Sequence, residues 1–177
     1  IGIWFGRITM AVLERPVVLV GPMGVGKTTI GKKLARSLRI AFIDTDSLVV
    51  QEHGAIDKIF SEQGEEAFRG FEEQAVASAI SSPAVVATGG GAVLSATSRA
   101  RLAELATVVY LSTDGRHIQS RLRRGNRPLL KDGMSDWKRI YDERRAIYES
   151  VADFEVETSG KPLTASVREI KSKLGLE

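Results

Sequence analysis

The chain has 177 residues, of which 43% are hydrophobic and 27% charged, and its formal net charge is +3. This composition is typical of one globular domain with a sizeable core. The absence of cysteine excludes disulfides, thiol catalysis and cysteine-ligated metals, and only two histidines remain for zinc chemistry. No apolar run approaches the ~20 residues of a membrane-spanning helix, so we expect no membrane partner. The lack of cysteine fits a reducing compartment, so we expect a cytoplasmic location.

A glycine-rich stretch near the start of the chain carries the strongest motif. Residues 16–20 form a short apolar, β-branched run that predicts a buried strand, and a helix follows it. That helix would bury Ile30, Leu34 and Leu38. Between the two lies GPMGVGKT (21–28), which fits the phosphate-binding pattern G-x-x-x-x-G-K-[ST]. Backbone N–H groups in such a loop surround phosphate oxygens, Lys27 would reach the β- and γ-phosphates, and the Thr28 hydroxyl would bind Mg²⁺. A turn without a ligand would leave Lys27 and Thr28 unexplained, so the stretch predicts nucleotide binding.

Short apolar strands alternate with helices along the rest of the chain. After the first strand, further strands are predicted at 41–43, 84–87, 107–111 and 154–156. Helices are predicted over 46–81 as one long polar stretch, over 95–104, 114–122 and 135–150, and at the end around Val167, Ile170 and Leu174. This alternation predicts a parallel sheet covered by helices on both faces. The carboxyl ends of the strands then share one edge, where open α/β sheets bind ligands.

Two sets of residues follow strand ends at that edge. Asp44 and Asp46 come directly after the second strand, where one carboxylate could serve a metal and the other an acceptor hydroxyl. The alternative is that one of them, more readily Asp44, only caps the next helix. Three glycines at 89–91 follow the third strand and would let a small ligand lie against backbone N–H groups. A tight turn is the alternative there, although one glycine would suffice for it.

Three arginines call for partners. Arg69 and Glu72 are neighbours at i and i+3 of a helix, which alone could be a solvated ion pair. Arg144 falls inside the apolar stripe of the helix at 135–150, where a guanidinium that cannot deprotonate must find an anion. That anion could be an internal carboxylate or the carboxylate of a substrate. Arg127 lies in a basic loop and could close over a γ-phosphate, unless the loop is merely solvated.

Taken together, these motifs resemble those of the shikimate kinase family. The matching stretches, in family order over about residues 16–165, are 21–31, 42–46, Phe68-Arg69-x-x-Glu72, 89–91, 127–130 and Glu143-Arg144-x-x-x-Tyr148. The resemblance implies an α/β, three-layer P-loop NTPase fold with a central five-stranded parallel sheet, helices on both faces and a lid. It also implies transfer of the ATP γ-phosphate to the 3-hydroxyl of shikimate, in chorismate and aromatic amino-acid biosynthesis.

The same resemblance implies roles for individual residues. The implied catalytic residues are Asp46, Lys27 and Arg127, and the implied Mg²⁺ ligands are Thr28 and Asp44. The implied shikimate contacts are Asp46, Phe60, Phe68, Arg69, Glu72, Gly89, Gly90, Gly91, Arg127 and Arg144. The implied ATP contacts are Gly21, Met23, Gly24, Val25, Gly26, Lys27, Thr28, Thr29, Arg121, Arg127, Lys161 and Pro162. For adenine, Arg123 or Arg124 could take the part of Arg121.

Residues 1–15 are expected to be an N-terminal extension and lead-in, and 16–177 a single kinase domain. Within it the resemblance implies a shikimate-binding region at 44–81 and a lid at 123–133, and we expect a monomer. A related small-molecule kinase, for example one acting on gluconate, is an alternative. A non-catalytic nucleotide-binding regulator is another, although it would need only the phosphate-binding residues. We expect no nucleic-acid partner, because the basic residues concentrate in one segment and not over a whole face.

Overall fold

The computed structural model describes residues 13–122 and 128–176. Its strands are β1 (Val17–Val20), β2 (Phe42–Asp44), β3 (Val85–Ala87), β4 (Thr107–Ser112) and β5 (Phe154–Glu157). They form one five-stranded sheet in the order β2-β3-β1-β4-β5, and every neighbouring pair is parallel. The predicted five-stranded parallel sheet is confirmed, and β1 lies at its centre.

Helices connect the strands and cover both faces of the sheet. They are α1 (Lys27–Leu38), α2 (Thr45–His53), α3 (Ile56–Glu62), α4 (Gly64–Ala79), α5 (Ala96–Leu105), α6 (Ile118–Leu122), α7 (Met134–Val151) and α8 (Leu163–Lys173), with a 3₁₀ turn at Ala92–Leu94. α1 and α8 pack on one face, whereas α4, α5 and α7 pack on the other, which gives the three predicted layers. No helix within 13–122 or 128–176 is long and apolar enough to cross a membrane.

The core follows the alternation of side chains along the strands. Val18 on β1 faces the layer of α4, α5 and α7, where it joins Val76 and Leu102. Its neighbour Leu19 faces the other side and joins Ile30 and Leu34 of α1. Because β1 is buried on both faces, its sequence is continuously apolar and does not alternate.

The predicted polar-helical stretch 46–81 divides into the three helices α2, α3 and α4. Gly54 and Gly64, at φ 88° and 86°, mark the two breaks. A right-handed helix cannot continue through positive φ, which glycine adopts without steric cost. The three helices bury a small core of their own, formed by Val49, Ile59, Phe68 and Ala75. This region therefore has its own packing beside the two layers that cover the sheet.

Candidate active site

The phosphate-binding loop joins β1 to α1 and is shaped by its glycines. Gly26, at φ 108°, is the N-cap of α1 and adopts a conformation that a side chain would strain. At Gly21 a Cβ atom would overlap the carbonyl oxygen of Leu111 on β4. Lys27 is only 9% exposed, and its Nζ donates to the carbonyl oxygens of Gly21 and Pro22 at 2.7 and 2.8 Å. The ammonium group is therefore held against the loop that would receive the phosphates.

The two residues predicted to serve Mg²⁺ are in contact. The Thr28 hydroxyl donates to Asp44 Oδ2 at 2.7 Å, so the start of α1 meets the end of β2. Gly31 allows this approach, because a Cβ there would lie 2.6 Å from Cε2 of Phe42. The other oxygen of Asp44 accepts a hydrogen bond from Ser47 N at 3.2 Å and caps α2. The helix-cap alternative for Asp44 is thus observed, and it leaves the second carboxylate oxygen facing Thr28.

The Thr28–Asp44 pair fits a magnesium ion that keeps most of its water. Mg²⁺ prefers oxygen ligands and is usually bound through one or two carboxylates plus substrate phosphates, with several waters retained. Among the residues that the structure describes, no group of three or more Asp, Glu or His side chains could hold a metal. The chain would therefore supply a hydroxyl and a carboxylate, and the phosphates of a nucleotide would supply further oxygens.

A cavity of about 500 Å³ opens beside the phosphate-binding loop. Seven of the predicted ATP contacts line it, namely Met23, Gly24, Gly26, Lys27, Thr28, Thr29 and Arg121. The remaining lining residues come from the neighbouring strand ends and from α6, and they are Asp44, Asp46, Thr88, Gly89, Gly90 and Ser120. The cavity therefore lies at the carboxyl edge of the sheet, where the predicted ligand site was placed. We call it the nucleotide cavity.

Other residues predicted to contact ATP do not line this cavity. Val25 is fully buried in the core beneath α1. Lys161 and Pro162 follow β5, and the Lys161 ammonium pairs with Glu169 of α8 at 3.1 Å.

The Arg121 guanidinium does line the cavity, but its Nη1 donates to Val25 O at 3.1 Å and thus binds the loop itself. Which residues contact adenine stays a prediction.

A second, smaller cavity of about 120 Å³ adjoins the first, and we call it the acceptor cavity. The two cavities have four lining residues in common, Met23, Asp46, Gly89 and Gly90. The acceptor cavity brings together all predicted shikimate contacts within the described ranges: Asp46, Phe60, Phe68, Arg69, Glu72, Gly89, Gly90, Gly91 and Arg144. Arg127, Arg123 and Arg124 lie outside the described residues, whereas Pro128 and Leu129 line the acceptor cavity.

Two carboxylates converge over Gly89, at the wall between the cavities. A Cβ atom at Gly89 would lie 2.6 Å from Glu72 Oε1 and 2.7 Å from Asp46 Oδ1. Glu72 is 3% exposed. Burial raises the pKa of Glu72, Arg69 opposes this shift, and the charge of Asp46 adds to it. The first glycine of the triplet therefore makes room for two acidic groups, which a tight turn alone would not require.

Arg69 is held between two glutamates of its own helix. Its Nη1 donates to Glu72 Oε2 at 2.7 Å, and its Nε and Nη2 donate to Glu65 Oε1 at 3.3 and 3.1 Å. Burial alone would lower the pKa of Arg69, but the two carboxylates raise it overall. Its Cζ would lie 2.6 Å from a Cβ atom at Gly91, so the third glycine makes room for the guanidinium. Arg69 is thus a fixed cation in the cavity wall, not a solvated surface residue.

Arg144 lies in the buried stripe of α7, as predicted, and is 8% exposed. Its positive charge acts on the hydroxyl of Tyr148, one helical turn further along α7. In the described part of the chain it forms no salt bridge, although its charge acts on Glu72. The next residue, Arg145, is exposed and lies over the ring of Tyr141, 4.7 Å from the centroid. A buried cation in a cavity wall, without a carboxylate of its own, is suited to an anionic ligand.

Side chains of helix α7 form hydrogen bonds to backbone carbonyl groups in the walls of both cavities. Near its start, Trp137 Nε1 donates to the carbonyl oxygen of Met23 in the phosphate-binding loop at 2.8 Å. Near its end, the Tyr148 hydroxyl donates to the carbonyl oxygen of Gly90 at 2.5 Å. One helix therefore supports the loop on the nucleotide side and the glycine triplet on the acceptor side.

The sequence model of the shikimate kinase family matches residues 23–175 of this chain. The chain belongs to the shikimate kinase family. It is 41% identical to the shikimate kinase of Hahella chejuensis, over 98% of this chain and 92% of that protein. It is 44% identical to the shikimate kinase of Streptomyces coelicolor, over 82% of this chain and 86% of that protein. The predicted family is thereby confirmed, and the chain is an ATP-dependent kinase of the transferase class.

Solved structures agree with this membership. The shikimate kinase from Acinetobacter baumannii in complex with shikimate matches with a TM-score of 0.86 and 35% identity, over 91% of this chain and 93% of that one. A gluconokinase from Sinorhizobium meliloti matches with a TM-score of 0.63, over 90% of this chain and 91% of that one, but at 20% identity. The second likeness shows a shared fold alone, so the gluconate alternative gains no support from it.

Five residues that line the cavities were not among the predicted site residues: Ile56, Pro128 and Leu129 in the acceptor cavity, and Thr88 and Ser120 in the nucleotide cavity. Thr88 comes directly after β3, so the argument from strand ends could have found it. Ile56 opens a short helix and reads as an ordinary core residue, and Ser120 lies on a short polar helix, so neither carries a sequence signal of its own.

Proposed function

We propose that this chain transfers the γ-phosphate of ATP to the 3-hydroxyl of shikimate, giving shikimate 3-phosphate and ADP. The observation that supports this proposal best is the wall shared by the two cavities. One cavity contains a phosphate-binding loop, the other contains the guanidinium groups of Arg69 and Arg144, and the Asp46 carboxylate lines both. A phosphate donor and an acceptor that carries a carboxylate would therefore meet beside Asp46.

On the donor side, the chain's task is to position the phosphates and to neutralise their charge, because phosphoryl transfer needs little covalent chemistry from the protein. Lys27 and the loop N–H groups would bind the β- and γ-phosphates, and Lys27 already lies among the loop carbonyls. Thr28 and Asp44 would hold Mg²⁺, which when bound neutralises charge on the phosphate oxygens. Arg127 would add a second positive charge next to the transferred group.

On the acceptor side, Arg69 and Arg144 would bind the shikimate carboxylate through charge-assisted hydrogen bonds. The rings of Phe60 and Phe68, with centroids 4.9 Å apart, would pack against the apolar part of the substrate. Asp46 would orient the 3-hydroxyl and accept its proton while the hydroxyl oxygen bonds to phosphorus and the bond to ADP breaks. Residues of the glycine triplet would add backbone contacts.

We also propose the organisation that the family resemblance implies. Residues 16–177 would act as one kinase domain after the lead-in 1–15, with 44–81 as the shikimate-binding region and 123–133 as a lid. The acceptor cavity supports the first assignment, because α3 and α4 line it, and Pro128 and Leu129 support the second. A single chain forms both cavities, so we propose a monomer that needs no nucleic acid or membrane. Because the reaction consumes ATP, we propose the cytoplasm as its location.

The test is release of ADP from Mg·ATP with and without shikimate, for the wild type and for Asp46→Asn. We expect shikimate-dependent turnover that falls by about 10²–10⁴-fold in the variant, since an amide cannot accept the proton. Asp142→Asn is the matched control, because Asp142 is an exposed carboxylate of α7 that pairs with Lys138 and lines neither cavity. A protein that binds ATP but ignores shikimate would be tried with gluconate. Failure with both acids would favour the non-catalytic regulator.

A further inference from the structure

We propose that Tyr148 is a positioning residue, which holds the Gly90–Gly91 peptide in the orientation that receives the acceptor. This inference rests on the proposed role of the glycine triplet. Tyr148 itself lines neither cavity in the described part of the chain. Its effect would therefore reach the substrate only through the groups that it holds.

The Tyr148 hydroxyl binds the second glycine of the triplet. Tyr148 lies on α7 and is 1% exposed, and its hydroxyl donates to the carbonyl oxygen of Gly90 at 2.5 Å. Burial raises the pKa of Tyr148 to about 12, so the group keeps its proton at physiological pH. A phenol has one proton to donate, and Gly90 receives it.

The bond to Gly90 matters because three consecutive glycines have no side chains to fix their backbone. In a trans peptide the N–H points opposite to the carbonyl, so fixing the Gly90 carbonyl also fixes the direction of the Gly91 N–H. Gly90 and Gly91 both line the acceptor cavity. The glycines leave room for Arg69 and for the two carboxylates at Gly89, but their backbone is flexible. The hydrogen bond from Tyr148 on α7 therefore fixes a backbone that has no side chains of its own.

The chain offers a matched pair of variants for the test. The ring of Tyr148 stacks on Tyr110 with centroids 5.4 Å apart, so Tyr148→Phe removes one hydroxyl and keeps this packing. Tyr141 belongs to the same aromatic cluster and is 3% exposed, but its hydroxyl pairs with that of Tyr110 at 2.6 Å. Tyr141 lines neither the nucleotide nor the acceptor cavity. Tyr141→Phe therefore removes a buried hydroxyl of the same kind without touching the proposed site.

The experiment measures kcat, the KM values for shikimate and ATP, and the thermal midpoint of the wild type and both variants. In Tyr148→Phe we expect the KM for shikimate to rise about five- to tenfold, with kcat and the KM for ATP changed less than about twofold, because one hydrogen bond to a positioned group is lost. In Tyr141→Phe we expect a similar shift of the thermal midpoint and an unchanged KM for shikimate. An equal rise in KM in both variants, or none in Tyr148→Phe, would overturn the inference. A wild-type protein without activity on shikimate would instead refute the proposed function, so the two failures are distinguishable.

Discussion

Replacing Arg144 by methionine should separate a binding role of this residue from a structural one. Methionine has a similar length, no charge and no hydrogen-bond donor. If Arg144 is there for a substrate carboxylate, its burial at 8% exposure without a salt bridge of its own in the described ranges is a cost to the folded state. If it is a structural residue, its packing in the buried stripe of α7 and its attraction to Glu72 should stabilise the fold, and its loss should be harmful.

The two interpretations predict effects of opposite sign. A bidentate pair of charge-assisted hydrogen bonds, at about 1.5 kcal/mol each, contributes roughly 3 kcal/mol to binding, which corresponds to a KM for shikimate about 100-fold higher in the variant. Replacing a buried ionic group by an apolar one of similar volume is often neutral or stabilises by about 1–4 kcal/mol. We therefore expect the thermal midpoint to stay or to rise, by about 2–4 °C for each kcal/mol gained.

The assay combines steady-state kinetics in shikimate with thermal unfolding in the absence of ligands. Arg145→Met is the matched control, since Arg145 is the next residue of α7, is exposed and lies over Tyr141. It should change neither the KM for shikimate nor that for ATP. A fall of the thermal midpoint by more than about 4 °C in Arg144→Met, together with an unchanged KM for shikimate, would refute the reasoning and make Arg144 a structural residue.

Three further predictions concern the nucleotide side, the wall between the cavities and the lid. Lys27→Ala should lower kcat by about 10²–10³-fold with a smaller effect on the KM for shikimate, because it removes charge stabilisation from the transferred group; an effect confined to the KM for shikimate would contradict this role. Gly89→Ala should abolish turnover, because the new Cβ would lie 2.6 Å from one carboxylate oxygen and 2.7 Å from another. Circular dichroism would verify that the variant is folded. A folded variant with full activity would show that the two carboxylates can move away from the new methyl group, and would contradict the prediction. Segment 123–133 should become protected from hydrogen exchange when nucleotide binds, since Pro128 and Leu129 line the acceptor cavity; unchanged exchange there would argue against a lid.

Much of the fold was predictable because its signals are local. The apolar run of β1 and the periodic stripe of α7 depend only on neighbouring residues, and both elements are present as predicted. The position of Arg144 inside that stripe followed from the same periodicity. The breaks in the stretch 46–81 were missed, since glycine is tolerated in helices, and only the positive φ values of Gly54 and Gly64 show that the helix ends there.

The site was less predictable, because its geometry depends on residues far apart in the sequence. The sequence allowed Asp44 to be either a helix cap or a metal ligand, whereas the structure places one of its oxygens on the cap and the other on Thr28. The sequence left open whether Arg69 and Glu72 form a surface ion pair or part of the site, and the structure shows the guanidinium held by two glutamates and packed against Gly91. Contacts with adenine depend on loops whose relative placement no local pattern encodes.

Helix α7 contacts the walls of both cavities, so we expect it to couple the binding of one substrate to the binding of the other. Its contacts with Met23 and Gly90 are made by Trp137 and Tyr148, which lie about 16 Å apart along the axis at 1.5 Å per residue. Any shift of the phosphate-binding loop that moves this rigid rod also moves the wall against which the acceptor binds. By thermodynamic linkage, if one bound substrate raises the affinity for the other by some factor, the second raises the affinity for the first by the same factor. The order of addition would then change the route to the ternary complex and leave its total binding free energy the same.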